Sequence, residues 1–106
     1  MNKEHIIVMV TTASKEEAET IAQRLLEAKL IACANIIGPV HSRFLWSEKI
    51  ERAEEYLMLM KSRRDLFGVL SQSVKALHSY EVPEIIALPV IEGSEAYLKW
   101  LDSCLR

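Results

Sequence analysis

The sequence predicts an α+β domain made of two strand–helix–strand units, and three observations carry that prediction. Apolar runs of strand length alternate with amphipathic stretches in the order strand, helix, strand, strand, helix, strand, and one more helix follows. This is the split βαβ, or ferredoxin-like, order, in which the first and third strands are central and the second and fourth lie at the edges. Two prolines inside strand runs, Pro39 and Pro89, fall on the predicted edge strands, where a missing N–H does least harm. The strands are also apolar on both faces, which is unusual for an antiparallel sheet with one side in water.

Residues 6–12 form a β-branched run that reads as a buried strand. A helix follows, opened by a capping box of Ser14 and Glu17, in which hydroxyl and carboxylate each satisfy an orphaned backbone N–H. Its apolar stripe is Ala18, Ile21, Ala22, Leu25 and Leu26, and Lys29 near its end suits the helix dipole. Residues 31–37 return to strand composition, Gly38-Pro39 breaks or bulges the run, and residues 40–46 resume it. Ser47-Glu48-Lys49 is a turn, and residues 50–60 are the third strand, centred on Tyr56-Leu57-Met58-Leu59-Met60. Ser62 and Asp65 are expected to cap a second helix carrying Leu66, Leu70, Val74 and Leu77, weakened by Gly68 at about 1 kcal/mol against alanine. Residues 85–91 are the fourth strand, and Ser94 caps a last helix with Tyr97, Leu98, Leu101 and Leu105 along one side.

A chain of 106 residues without linker or low-complexity stretch reads as one domain, 1–106. The net charge is −2 and the basic residues are interleaved with glutamates, as in Glu48-Lys49-Ile50-Glu51-Arg52, so no basic stripe suggests a nucleic-acid partner. Two cysteines, Cys33 and Cys104, do not make a disulfide framework and point to a reducing compartment. The apolar run of residues 6–10 is too short for a signal-peptide core or a membrane span. The expectation is a cytoplasmic protein with no membrane partner.

Right-handed crossovers place both crossover helices on one face of the sheet. The other face should then be polar in a monomer, but Ile7 and Met9, Leu57 and Leu59, and Ile86, Leu88 and Val90 stand opposite the helix-facing set. One short C-terminal helix cannot shield four strands, so the residues predict self-association. Val40, Phe44 and Trp46 share a face of the hairpin arm, which makes Phe44 and Trp46 candidate interface residues.

Three stretches resemble one family. Ala32-Cys33-Ala34-Asn35-Ile36-Ile37, Trp46 followed by Lys49-Ile50, and above all His78-Ser79-Tyr80-Glu81-Val82-Pro83-Glu84-Ile85 resemble the CutA divalent-cation tolerance proteins. Two positions depart from the usual pattern: Glu48 stands where that family has glycine, and Ser79 where it has proline. The resemblance implies a homotrimer whose sheets enclose a common core, an architecture shared with the PII signalling proteins. It also implies an association with copper and other divalent cations. A cysteine found in the first strand of some members corresponds here to about Thr11.

For copper, thiolate and imidazole are the suitable ligands. His78 is the best candidate, with Glu84 and Cys33 as partners; His5, His41 and Cys104 are isolated in sequence. A second reading is a PII-like sensor of a small anionic ligand or nucleotide at an intersubunit cleft. Lys61, Tyr80 and Glu81 would line it, with Arg63 and Arg64 nearby. A third is a structural or interaction trimer with no dedicated ligand. No phosphate loop, nucleophile elbow or activated cysteine accompanies the acid/base groups of residues 78–84, so the protein is expected not to be an enzyme.

Overall fold

The computed structural model describes residues 4–106. The elements are β1 (His5–Thr12), α1 (Lys15–Glu27), β2 (Cys33–Trp46), β3 (Lys49–Arg63), α2 (Phe67–Leu77), β4 (Ile85–Pro89) and α3 (Glu95–Cys104). They form one four-stranded sheet in the order β2-β3-β1-β4, with every neighbouring pair antiparallel. This is the ferredoxin-like arrangement, with β1 and β3 central and both strand prolines on edge strands.

Period-two alternation decides which side of β1 is covered. Ile6, Val8, Val10 and Thr12 are buried and alternate with partly exposed neighbours. They meet Met58, Met60 and Ser62 of β3, and Ala18, Ile21 and Leu25 of α1 with Leu70 and Val74 of α2 complete this core. Each fully buried Leu, Ile or Met there contributes about 1.5–3 kcal/mol. The opposite face carries Ile7, Met9, Leu57 and Leu59, flanked at the edges by Ile37, Ile86 and Leu88, which are 45–50% exposed. The last helix does not cover it, because Leu101 of α3 and Leu105, which caps its C-terminal end, belong to the core on the helix side.

The N-terminal cap of α1 forms as expected, with the Glu17 N–H donating to Ser14 Oγ at 3.1 Å. The reciprocal bond falls one residue earlier: Glu17 Oε1 accepts from the Ala13 N–H at 3.3 Å. At the other end Lys29 takes φ 59°, just past the C-cap Ala28. The Leu30 N–H then reaches the Leu25 carbonyl and the Lys29 N–H the Leu26 carbonyl, the two bonds of a Schellman motif.

The start of α2 differs from expectation. Ser62 and Arg63 remain in β3, paired with Ile6 and His5. The buried Ser62 hydroxyl donates to the Leu30 carbonyl at 2.6 Å, so it is not free to cap a helix. Asp65 is drawn to the Arg63 guanidinium at 2.9 Å, and α2 is entered through a 3-10 turn (Arg64–Leu66) without a side-chain cap. Strand limits also move. β1 begins at His5, β2 at Cys33 and β3 at Lys49, and β4 stops at Pro89, after which the Val90 N–H reaches back to the His5 carbonyl.

β1 ends at Thr12, opposite Tyr56, whereas β2 and β3 continue together from the Val40↔Glu55 pair to Trp46↔Lys49. They form a two-stranded arm beyond the sheet, which accounts for a longest dimension of 44 Å against 26 and 23 Å. The register shift at Gly38-Pro39 marks where the arm leaves.

Candidate functional site

A cleft of about 880 Å³ opens where β1 stops and the arm departs. The arm supplies Ser42, Phe44 and Trp46 to one wall, Thr11 and Glu55 lie deeper, and the segment after α2 supplies Tyr80, Glu81, Val82 and Glu84 to the other wall. Phe44 and Trp46 are 42% and 61% exposed, so the arm's aromatic face has no cover within the chain.

His78 ends α2, its N–H donating to the Val74 carbonyl. The side chain is fully buried. Nε2 lies 2.8 Å from the Thr11 carbonyl oxygen, which can only accept, so Nε2 carries the proton. Nδ1 accepts from the Tyr80 N–H at 2.9 Å. Both nitrogens are thereby committed. Tyr80 packs its ring 4.8 Å from His78 and donates its hydroxyl to Glu55 Oε2 at 2.7 Å. Burial pushes the Tyr80 phenol up to about 12, aided by that hydrogen bond and by the charge of Glu55.

Glu17 approaches the same segment from α1. Its Oε2 accepts from the Ser79 N–H at 2.7 Å and its Oε1 from the Ser79 hydroxyl at 3.1 Å, while Oε2 lies 3.5 Å from His78 Nδ1. Burial would raise the Glu17 carboxyl, but the bonds from Ser79, the nearby His78 and the bond from Ala13 together outweigh it and hold the group below its ordinary range.

The three expected copper ligands do not converge within the chain. His78 has no free lone pair, Glu84 lies in the cleft, and Cys33 pairs with Lys61 on β3, four residues from the Leu57 that faces Thr11. Four residues of strand are about 13 Å. Among the described residues no three His, Cys, Asp or Glu side chains gather as a metal would require. His5 is instead paired with Asp102 at 3.0 Å, and His41 lies on the arm opposite Glu54.

Tyr80 and Glu81 do line the cleft, but Lys61 does not. It sits on the uncovered sheet face, where its ammonium donates to Asn35 Oδ1 and lies 3.9 Å from Cys33 Sγ. Arg63 is buried against Asp65, Asp102 and the Arg106 carbonyl, and Arg64 pairs with Glu4. None of the basic residues expected to read an anion lines the cleft. Its lining has four carboxylates, Glu51, Glu55, Glu81 and Glu84, against the two guanidinium groups of Arg43 and Arg52. That balance favours cations over anions.

The family model described as "CutA1 divalent ion tolerance protein" matches residues 6–104. The chain belongs to that family. It is 47% identical over 102 residues to the divalent-cation tolerance protein CutA of Archaeoglobus fulgidus, covering 96% of this chain and 99% of the relative. It is 44% identical to the CutA protein of Thermus thermophilus, over 90% of this chain and 92% of the relative. Among solved structures, Thermus thermophilus Cut A1 superposes with a TM-score of 0.94 at 41% identity, over 96% of this chain and 99% of that one. CutA1 of Oryza sativa superposes at 0.95 with 38% identity, over 99% and 96%. The compartments named for CutA relatives differ: the solved Archaeoglobus fulgidus protein is described as periplasmic and the Arabidopsis thaliana relative as chloroplastic.

Glu17 and Glu55 are the residues that sequence reading missed. Glu17 was spoken for by the capping box. Glu55 had one signal: it occupies the same strand face as Leu57 and Leu59, where a carboxylate needs a partner.

Proposed function

We propose that this CutA protein works as a homotrimer that takes part in tolerance of divalent cations, copper among them, by binding rather than by catalysis. The observation that carries the reading is the uncovered sheet face of Ile7, Met9, Leu57 and Leu59 with Ile37, Ile86 and Leu88 at its margins. An apolar face of this extent demands a partner surface, and a second and third copy supply one of matching chemistry. Phe44 and Trp46 of the arm then act as an intersubunit clasp. The cleft beside them is the surface that meets cations, through Glu81 and Glu84.

Oxygen donors without a gathered third ligand support weak, exchangeable cation contact, not a resident copper centre. Two free cysteines support a reducing, cytoplasmic setting. The negative cleft argues against the reading as a sensor of small anions.

Native mass spectrometry with and without added copper(II) tests both parts. The expected ion has three times the 12.1 kDa of one chain. It should carry added copper that falls by at least half in the Glu81→Gln, Glu84→Gln double variant. A monomer across all concentrations overturns the assembly. Equal copper uptake by parent and variant overturns the cleft as the cation surface.

A further inference from the structure

The wall of the cleft formed by residues 79–84 has no helix or strand of its own. Its first two residues give their backbone N–H groups to side chains: Ser79 to Glu17 and Tyr80 to the His78 ring. Farther out, the Tyr80 hydroxyl reaches Glu55. The wall is therefore hung from carboxylates on two different elements, α1 and β3.

Glu17 is the more heavily used of the two. Three donors converge on it, from Ala13, the Ser79 backbone and the Ser79 hydroxyl, and its side chain is only 15% exposed. Hydrogen bonds to an ionised acceptor are roughly twice as strong as neutral ones. Ser79 contributes both of its donors to this one group, which ties the C-terminal end of α2 to the N-terminal end of α1.

We infer that Glu17 is a positioning residue for the cleft, a carboxylate latch on α1 that sets through Ser79 where Tyr80, Glu81 and Glu84 stand. This rests on the reading of the cleft as the binding surface. It also accounts for a serine at position 79: a proline there would hold the chain by its ring, whereas serine supplies N–H and O–H to a partner that must be present. His78, at φ −82° and ψ 144°, has the extended backbone that a following proline requires, so the segment accepts either solution.

The latch is sensitive to acid, and the sign follows from the depressed Glu17 group. Its hold is fully present above the ordinary carboxylate value of 4.5 and is lost as pH falls through the lower folded value. The groups that face it are His78, at 3.5 Å, and the Tyr80 phenol, whose proton Glu17's charge helps retain.

Amide hydrogen exchange followed by NMR tests the inference and needs no ligand, so its outcome is independent of cation binding. At neutral pH, Glu17→Gln should speed exchange at Ser79 and Tyr80 at least tenfold while Val8 in β1 stays as slow as in the parent. In the parent, the Ser79 amide shift should titrate with a midpoint below pH 4.5, and in Glu17→Gln that titration should vanish. In a Ser79→Pro background, Glu17→Gln should leave Tyr80 exchange unchanged. Unaltered exchange in the single variant overturns the latch. An equal acceleration with proline at 79 also overturns it, because Glu17 would then act through α1 and not through Ser79.

Discussion

Ser47 and Glu48 form the two-residue tip of the arm at φ 50° and 66°, between the paired Trp46 and Lys49. Two consecutive left-handed residues are the requirement of a type I′ hairpin turn, which glycine meets without steric cost. A side chain with a Cβ in that region costs roughly 1–2 kcal/mol. Glycine gives back about half of that through its freer unfolded chain. Glu48→Gly should therefore stabilise the protein by about 0.5–1 kcal/mol, read as a higher denaturation midpoint at unchanged slope. A lower midpoint would mean that the Glu48 side chain makes a favourable contact in the assembly that outweighs the backbone. The departure from glycine at 48 was visible in the sequence, but its backbone consequence was not, because the turn was expected over residues 47–49 and the structure keeps Lys49 in β3, leaving a two-residue tip. The departure at 79 was visible too, but its answer was not, because Glu17 lies 62 residues away and was already assigned to a helix cap.

The arm is the element whose shape depends most on one small residue. A Cβ built on Gly38 would come within 2.4–2.9 Å of three atoms of the Tyr56 ring, closer than real Cβ atoms approach. Tyr56 is partly buried against the core and cannot swing away without opening a gap beside it. Gly38→Ala should thus destabilise by about 1–3 kcal/mol, the usual range for overpacking, while Gly68→Ala, with nothing near its Cβ, should be neutral or stabilising. Equal thermal midpoints for the two variants would show that the ring moves freely. The break at Gly38-Pro39 was legible as composition; the cleft beside it was not. Thr11 and Glu55 come from two strands and Tyr80 from the segment after α2, and only the strand register and the Tyr80–Glu55 hydrogen bond bring them together. Spacing along the chain carries no trace of such a meeting, which is also why His78 read as a free ligand when both of its nitrogens are taken.

At the scale of the molecule, the legible property was the two-sided apolarity of the central strands, because alternation assigns each residue to a face once the strand is recognised. The sheet order came with it, since prolines and crossover handedness leave few alternatives. What alternation cannot supply is the surface that meets the uncovered face, and a substitution at its centre tests that most directly. Leu59 of β3 lies between Asn35 and Met9 on that face and is only partly buried within one chain. A glutamate there has solvent access in a monomer, so Leu59→Glu should leave the helix-side core and the far-ultraviolet circular dichroism intact. In a closed trimer the same carboxylates would be brought out of water and toward one another around the symmetry axis, at a cost of several kcal/mol per ion. Light scattering after size exclusion should then give the mass of a single chain for Leu59→Glu and three times that mass for the parent. A trimer of normal thermal stability from the variant would place the subunit contact somewhere other than this sheet face.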